Sequence, residues 1–203
     1  MPLYKKIFSE NYELALWRIE EDLAFFESRF TAHPEIKNDN KKLQWFASRH
    51  LVNEIAGKPV EIVKDDQNKP SLKNSDHHLS ISHTPVFAAA MLSTQHTVGV
   101  DLEMANPKVE RIAPKFLRRD EIESINPEEK IEKLILYWSA KEALYKLYGK
   151  GSIEFMTQLL IEPFALQLKG ELKADIIATD SQIKNLTVSY EFFEAHVLTW
   201  ACY

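Results

Sequence analysis

Gly99-Val100-Asp101-Leu102-Glu103 and Trp138-Ser139-Ala140-Lys141-Glu142-Ala143-Leu144-Tyr145-Lys146 are the two stretches on which the reading turns. The first alternates as a strand does, so Asp101 and Glu103 project from one face and Val100 and Leu102 from the other. Two carboxylates side by side repel each other. A shared cation relieves that repulsion, and hard oxygen donors suit Mg²⁺. The same pair also suits a solvated sheet edge. The second stretch has helical spacing: Trp138, Glu142 and Lys146 recur every four residues and drift slowly around one face. That face offers an aromatic ring, a carboxylate and an ammonium. An ordinary helix salt bridge from Glu142 to Lys146 is the plainer reading.

Upstream of the first stretch, His78–His83 alternates Leu79 and Ile81 against Ser80 and Ser82, as a strand would. Val86–Ser93 is small and apolar and reads as a buried strand, and Thr97–Glu103 follows as a third. Glu13–Ile19 reads as a strand, and Glu20, Glu21 and Asp22 open a short helix to about Phe30. His33-Pro34 breaks the chain. A long helix is expected from Pro34 to Ala56, stopped by Gly57. Val60–Lys64 is a strand candidate, and residues 65–68 a turn. Downstream, helices are expected over Val109–Leu117 and Asp120–Ile125. Asn126-Pro127 should cap a third helix that runs to Tyr148 and stops at Gly149. Strand candidates in the tail are about 162–168, 172–178, 186–193 and 196–201. The order is α+β, with comparable halves over 1–95 and 96–203. No Pro/Gly/Ser-rich linker separates them, so tight packing into one functional unit is expected.

The chain has 203 residues, 45% hydrophobic, 11% aromatic and 27% charged. A chain of this length buries roughly 70% of its unfolded surface, so it needs no disulfide or structural metal to fold. A net charge of −5 argues against a broad nucleic-acid or anionic-membrane binder. The single cysteine, Cys202, excludes an intrachain disulfide framework and suits a reducing compartment. The first residues, MPLYKKIFSENYELALW, lack the apolar run of a secretory leader. The apolar run near 86–92 is too short for a bilayer. The cytoplasm is the expected location.

The motifs also fall in a telling order: Asn68-Lys69-Pro70, Ser80-Ile81-Ser82-His83, the Asp101–Glu103 strand, Phe116-Leu117-Arg118-Arg119-Asp120-Glu121, the Trp138–Lys146 helix and Gly149-Lys150-Gly151. In this order they resemble the 4′-phosphopantetheinyl transferase superfamily, in its Sfp-type branch, over about residues 43–155. The resemblance implies two similar α/β halves related by a pseudo-twofold axis, with the active site in the cleft between them. It implies transfer of 4′-phosphopantetheine from coenzyme A to a serine of an apo acyl or peptidyl carrier protein, releasing adenosine 3′,5′-bisphosphate. Asp101, Glu103 and Glu142 would hold Mg²⁺, with Mn²⁺ as a substitute. Glu142 would act as general base, and Lys146 would contact phosphate and protonate the departing oxygen. Arg49, Lys69, Pro70, Ser82, His83, Lys141 and Lys146 would bind coenzyme A. Asn68 stands where the family has glycine in its GKP turn, and asparagine tolerates the left-handed conformation. The expected partners are the carrier protein and coenzyme A, with the enzyme a monomer. Arg111, Lys115, Arg118 and Arg119, beside Ile112, Phe116 and Leu117, form the expected docking surface for an acidic carrier. Two other classes remain open: a non-catalytic binding module on the same scaffold, and a Mg²⁺-dependent phosphohydrolase.

Overall fold

Period-two alternation and runs of small apolar residues build antiparallel strands, and one long helix packs on each sheet. The computed structural model describes residues 3–203. Contacts divide the chain into two units, one up to His96 and one over Thr97–Tyr203. In the first, β1 (Leu3–Phe8), β2 (Glu13–Arg18), α1 (Leu23–Glu27), α2 (Asp39–Ala56), β3 (Ile62–Lys64), β4 (Pro70–Leu72), β5 (His78–His83) and β6 (Phe87–Ser93) follow in order. In the second come β7 (Val98–Met104), α3 (Val109–Ile112), α4 (Arg119–Glu123), α5 (Lys130–Tyr148), α6 (Phe155–Gln158), β8 (Leu159–Ile161), β9 (Lys169–Ile177), β10 (Gln182–Phe193) and β11 (His196–Cys202).

The sheets run β1-β2-β6-β5-β4-β3 and β7-β11-β10-β9-β8, with every paired neighbour antiparallel. Leaving β1 aside, the chain traces one path twice. A strand leads through helices to a meander whose last strand returns to pair with the first. This α+β architecture agrees with the expected fold class.

The core of the first unit joins Phe46, Leu51 and Val52 of α2 to Ala15, Trp17, Leu79, Ala88 and Ala90 of the sheet. Alanines on β6 let the helix lie close. In the second unit, Leu136, Tyr137, Ala140, Leu144 and Leu147 of α5 pack on Leu172, Ile176, Val188 and Val197. There the closest approach is at Gly99. A Cβ on that residue would stand 2.0 Å from the Ala143 carbonyl oxygen and 2.8 Å from the Leu147 nitrogen. Only a residue without a side chain lets α5 rest on β7 in this way.

Several boundaries differ from expectation for local reasons. α2 begins at Asp39 rather than Pro34, because the Asn38 side chain accepts from the Lys41 amide at 3.0 Å and caps the helix there. The helix expected over 109–117 ends at Ile112, and a tight turn containing Pro114 follows. A similar turn at Pro127–Glu129, capped by Asn126, precedes α5. The tail segment 162–168 is not a strand; α6 and β8 come just before it. β1 and β4 had no clear periodicity to announce them. Gly57 and Gly149 close α2 and α5 at φ of 67° and 63°, and Asn68 takes the left-handed conformation at φ 63°. Among the described residues no helix is long and apolar enough to cross a membrane.

Gly99→Ala should therefore force α5 away from β7. Overpacking against backbone costs about 3 kcal/mol, so thermal unfolding should show a marked fall in Tm. An unchanged Tm would contradict the close approach.

Candidate carboxylate site

β7 and α5 meet face to face, and the polar groups of both motifs gather where they touch. Asp101, on β7, is only 3% exposed. Its Oδ1 accepts from the Lys146 ammonium at 2.7 Å, and its Oδ2 from the Ser139 hydroxyl at 2.9 Å. Lys146 also donates to the Val100 carbonyl at 3.0 Å. The Ser139 hydroxyl lies 2.9 Å from that of Thr199 on β11, and Thr199 donates to the Ser139 carbonyl at 2.9 Å. Two residues along the same face of β7, Glu103 accepts from the Trp138 indole N–H at 2.9 Å.

Glu142 lies one helical turn from both Trp138 and Lys146 and senses both strand carboxylates. Burial is the main force on it, raising its pKa to about 7; the charges of Asp101 and Glu103 add to the rise and Lys146 opposes it. Glu103 is also raised to about 7, first by burial and then by Asp101, against the Trp138 hydrogen bond and Lys146. Three carboxylates thus share one nearby ammonium in a poorly solvated place.

Among the described residues no group of three or more His, Cys, Asp or Glu side chains is disposed to hold a metal ion. Asp101 has both oxygens engaged, one of them by Lys146. The chemistry of the donor set nonetheless suits a hard divalent cation: the oxygens are carboxylate, they repel one another, and burial leaves them short of positive charge. A cation there would compete with the Lys146 ammonium for Asp101.

The other residues that the resemblance assigned to coenzyme A fall in two groups. In the first unit, Lys69 precedes β4, where burial lowers its pKa, and Pro70 opens that strand. Ser82 and His83 end β5, buried and exposed respectively. Arg49 of α2 lays its guanidinium 3.8 Å over the Trp45 ring and donates to the Trp45 carbonyl at 3.2 Å. Burial brings its pKa to about 10, which leaves it cationic near neutrality. In the second unit, Lys146 is at the carboxylates and Lys141 is not. Lys141 is wholly buried. Its ammonium donates to the Phe116 carbonyl at 2.6 Å, Glu121 at 2.8 Å and the Phe155 carbonyl at 3.1 Å. With its three N–H groups spent, it has none to offer a phosphate.

Glu121 is equally enclosed, accepting also from the backbone N–H groups of Arg118 and Ile161. Sequence reasoning missed it as the partner of Lys141, and missed Ser139 and Thr199 beside Asp101. A serine inside the helix motif was visible in the sequence, whereas nothing along β11 marks Thr199.

The pattern of the 4′-phosphopantetheinyl transferase superfamily matches residues 97–200, half of the chain. The chain belongs to that superfamily. It is 30% identical over 110 residues to a 4′-phosphopantetheinyl transferase of Bacillus pumilus, covering 51% of this chain and 47% of the relative. It is 29% identical over 102 residues to a putative 4′-phosphopantetheinyl transferase of Synechocystis, covering 46% and 42%. To the 4′-phosphopantetheinyl transferase AcpT of Escherichia coli O157:H7 it is 24% identical over 123 residues, covering 58% and 63%. The matched stretches span about half the length of the first two relatives.

Removing Lys141 leaves the buried Glu121 with only the Arg118 guanidinium, 3.8 Å away, as a cationic partner. Lys141→Met should destabilise the chain by about 3–5 kcal/mol, and adding Glu121→Gln should recover part of the loss. Denaturant melts of the two variants check this; equal stability of Lys141→Met and the parent protein would contradict it.

Proposed function

We propose that this chain is a Mg²⁺-dependent transferase of the Sfp-type branch that moves 4′-phosphopantetheine from coenzyme A to a serine of an apo acyl or peptidyl carrier protein. The observation that carries the reading is the meeting of Asp101, Glu103, Glu142 and Lys146 on β7 and α5, inside the span that matches the family.

In the reaction the carrier serine oxygen forms a bond to the β-phosphorus of coenzyme A. The bond from that phosphorus to the bridging oxygen breaks, and adenosine 3′,5′-bisphosphate leaves. Serine needs a base to become a nucleophile. Glu142, one helical turn from Lys146 and close to both strand carboxylates, is the proposed acceptor of that proton. Lys146 moves its ammonium to the departing phosphate oxygen. Asp101, Glu103 and Glu142 would hold Mg²⁺ or Mn²⁺, which when bound offsets charge on the phosphates. Arg49, Lys69, Pro70, Ser82 and His83 are the proposed contacts of coenzyme A in the first unit. Lys141 drops out of that set because its ammonium is enclosed. We place the reaction in the cytoplasm and the enzyme as a monomer.

The deciding experiment incubates the protein with coenzyme A, Mg²⁺ and an apo carrier protein and weighs the carrier intact. The expected product is carrier heavier by one phosphopantetheine. Glu142→Gln should slow its formation by about 10²–10⁴-fold, the usual weight of a general base, with the fold retained. A carrier of unchanged mass, or a Glu142→Gln variant as fast as the parent, would contradict the assignment.

The carrier surface is narrower than the sequence suggested. Phe116 is buried at 1% exposure, so it belongs to the core and not to a docking face. Arg118 pairs with Asp120 at 2.9 Å and Arg119 with Glu123 at 2.7 Å, which offsets their charge. Arg111 and Lys115 are exposed and become the proposed contacts for an acidic partner. Reversing both to Glu should raise KM for the carrier about ten-fold at low salt and leave KM for coenzyme A unchanged. Equal carrier KM in both proteins would reject this surface.

A further inference from the structure

Trp138 is the indole that holds Glu103, and what holds Trp138 can be traced through the fold. Its ring stacks on Phe155 at a centroid distance of 5.6 Å and leans on Phe116 at 5.2 Å. Phe155 opens α6, and Phe116 follows the turn after α3. Among the described residues no hydrogen-bond ladder ties these two short segments to each other. What ties them is the Lys141 ammonium, which donates to both phenylalanine carbonyls at once. Glu121 neutralises that ammonium at 2.8 Å and anchors it to α4 and β8 through the backbone N–H groups of Arg118 and Ile161. Lys141 and Trp138 stand on the same helix, so the tether and the indole share one rigid frame.

We infer that Lys141 and Glu121 are positioning residues of the carboxylate site: the buried ammonium fixes the backbones of Phe116 and Phe155, their rings clamp Trp138, and Trp138 orients Glu103. A buried ion pair is poor value as a source of stability, since an apolar pair of similar volume often does as well. Its directional contacts are what an apolar pair cannot supply. A lysine that donates to two carbonyls flanking one indole sets the position of both aromatic neighbours in a way that packing alone does not. The inference rests on reading Glu103 as a metal ligand, and it gives the lysine of the helix motif a purpose other than phosphate binding.

The test labels the protein with 5-fluorotryptophan, assigns the Trp138 resonance by its loss in Trp138→Phe, and titrates Mn²⁺ by calorimetry. Five variants are compared with the parent protein: Trp138→Phe, Glu103→Gln, Lys141→Met, Lys141→Met combined with Glu121→Gln in case the single change does not fold, and Trp138→Phe combined with the Lys141 change. The Trp138 resonance should shift in metal-free Glu103→Gln and in the Lys141 variants. Mn²⁺ affinity should fall about ten-fold in Trp138→Phe and in the Lys141 variants, the usual effect of losing a partner behind a ligand. Combining Trp138→Phe with the Lys141 change should add nothing further, since both act through one link. A Trp138→Phe protein that folds and binds Mn²⁺ like the parent overturns the inference. So do additive losses, or a Trp138 resonance indifferent to the buried pair. If that resonance responds as expected but the parent protein binds no Mn²⁺, the transferase reading fails while the clamp on Glu103 stands.

Discussion

The backbone of α5 rests on the backbone of β7 at Gly99, and the site exists because of that contact. A methyl group there would meet the Ala143 carbonyl at 2.0 Å. Without it the helix comes close enough for side chains of both elements to reach one another. Lys146 reaches Asp101, Ser139 reaches Asp101 and Trp138 reaches Glu103, all within hydrogen-bonding distance. Glycine is placed here for closeness rather than for an unusual backbone angle, since its φ lies outside the left-handed region.

Closeness creates an electrostatic problem. Burial first, and then the neighbouring carboxylate of Asp101, raise Glu103 and Glu142 to about pKa 7. A solvated sheet edge, the plain reading of Asp101 and Glu103, does not account for an aspartate at 3% exposure with both oxygens engaged. The plain reading of Glu142 and Lys146 as a helix salt bridge also fails to describe the lysine, whose ammonium turns to the strand instead. Nearby, Lys141 and Glu121 solve a different problem: a fully enclosed pair whose remaining donors and acceptors are met by backbone.

Elements with strong periodicity were legible in the sequence. β5 was readable from the alternation of HLSISH, β6 from its unbroken small apolar run, and the end of α5 from Gly149. The Asn68 turn was legible because few residues accept that conformation. What escaped was set by single local bonds or by partners far along the chain. The start of α2 depends on one Asn38 side chain accepting one amide, and Pro34-Glu35-Ile36-Lys37 just before it reads equally well as a first helical turn. β4 is three residues long and is defined by its neighbours. Within the site, spacing showed which face Trp138, Glu142 and Lys146 share. It could not show that Lys141, one residue from Glu142, turns inward to a glutamate twenty residues before it. A lysine in a helix is nearly always exposed, so a sequence-based reading assigns it to solvent or ligand.

Under the proposed function, Asp101, Glu103 and Glu142, on the two elements that meet at Gly99, would share one divalent cation. The direct measurement is anomalous diffraction from crystals of the protein grown with Mn²⁺ and coenzyme A. The account requires one anomalous peak bounded by carboxylate oxygens of all three residues, with the Lys146 ammonium withdrawn from Asp101. A peak ligated elsewhere on the chain, or coenzyme A bound with Lys146 still on Asp101 and no metal beside it, would contradict the claim.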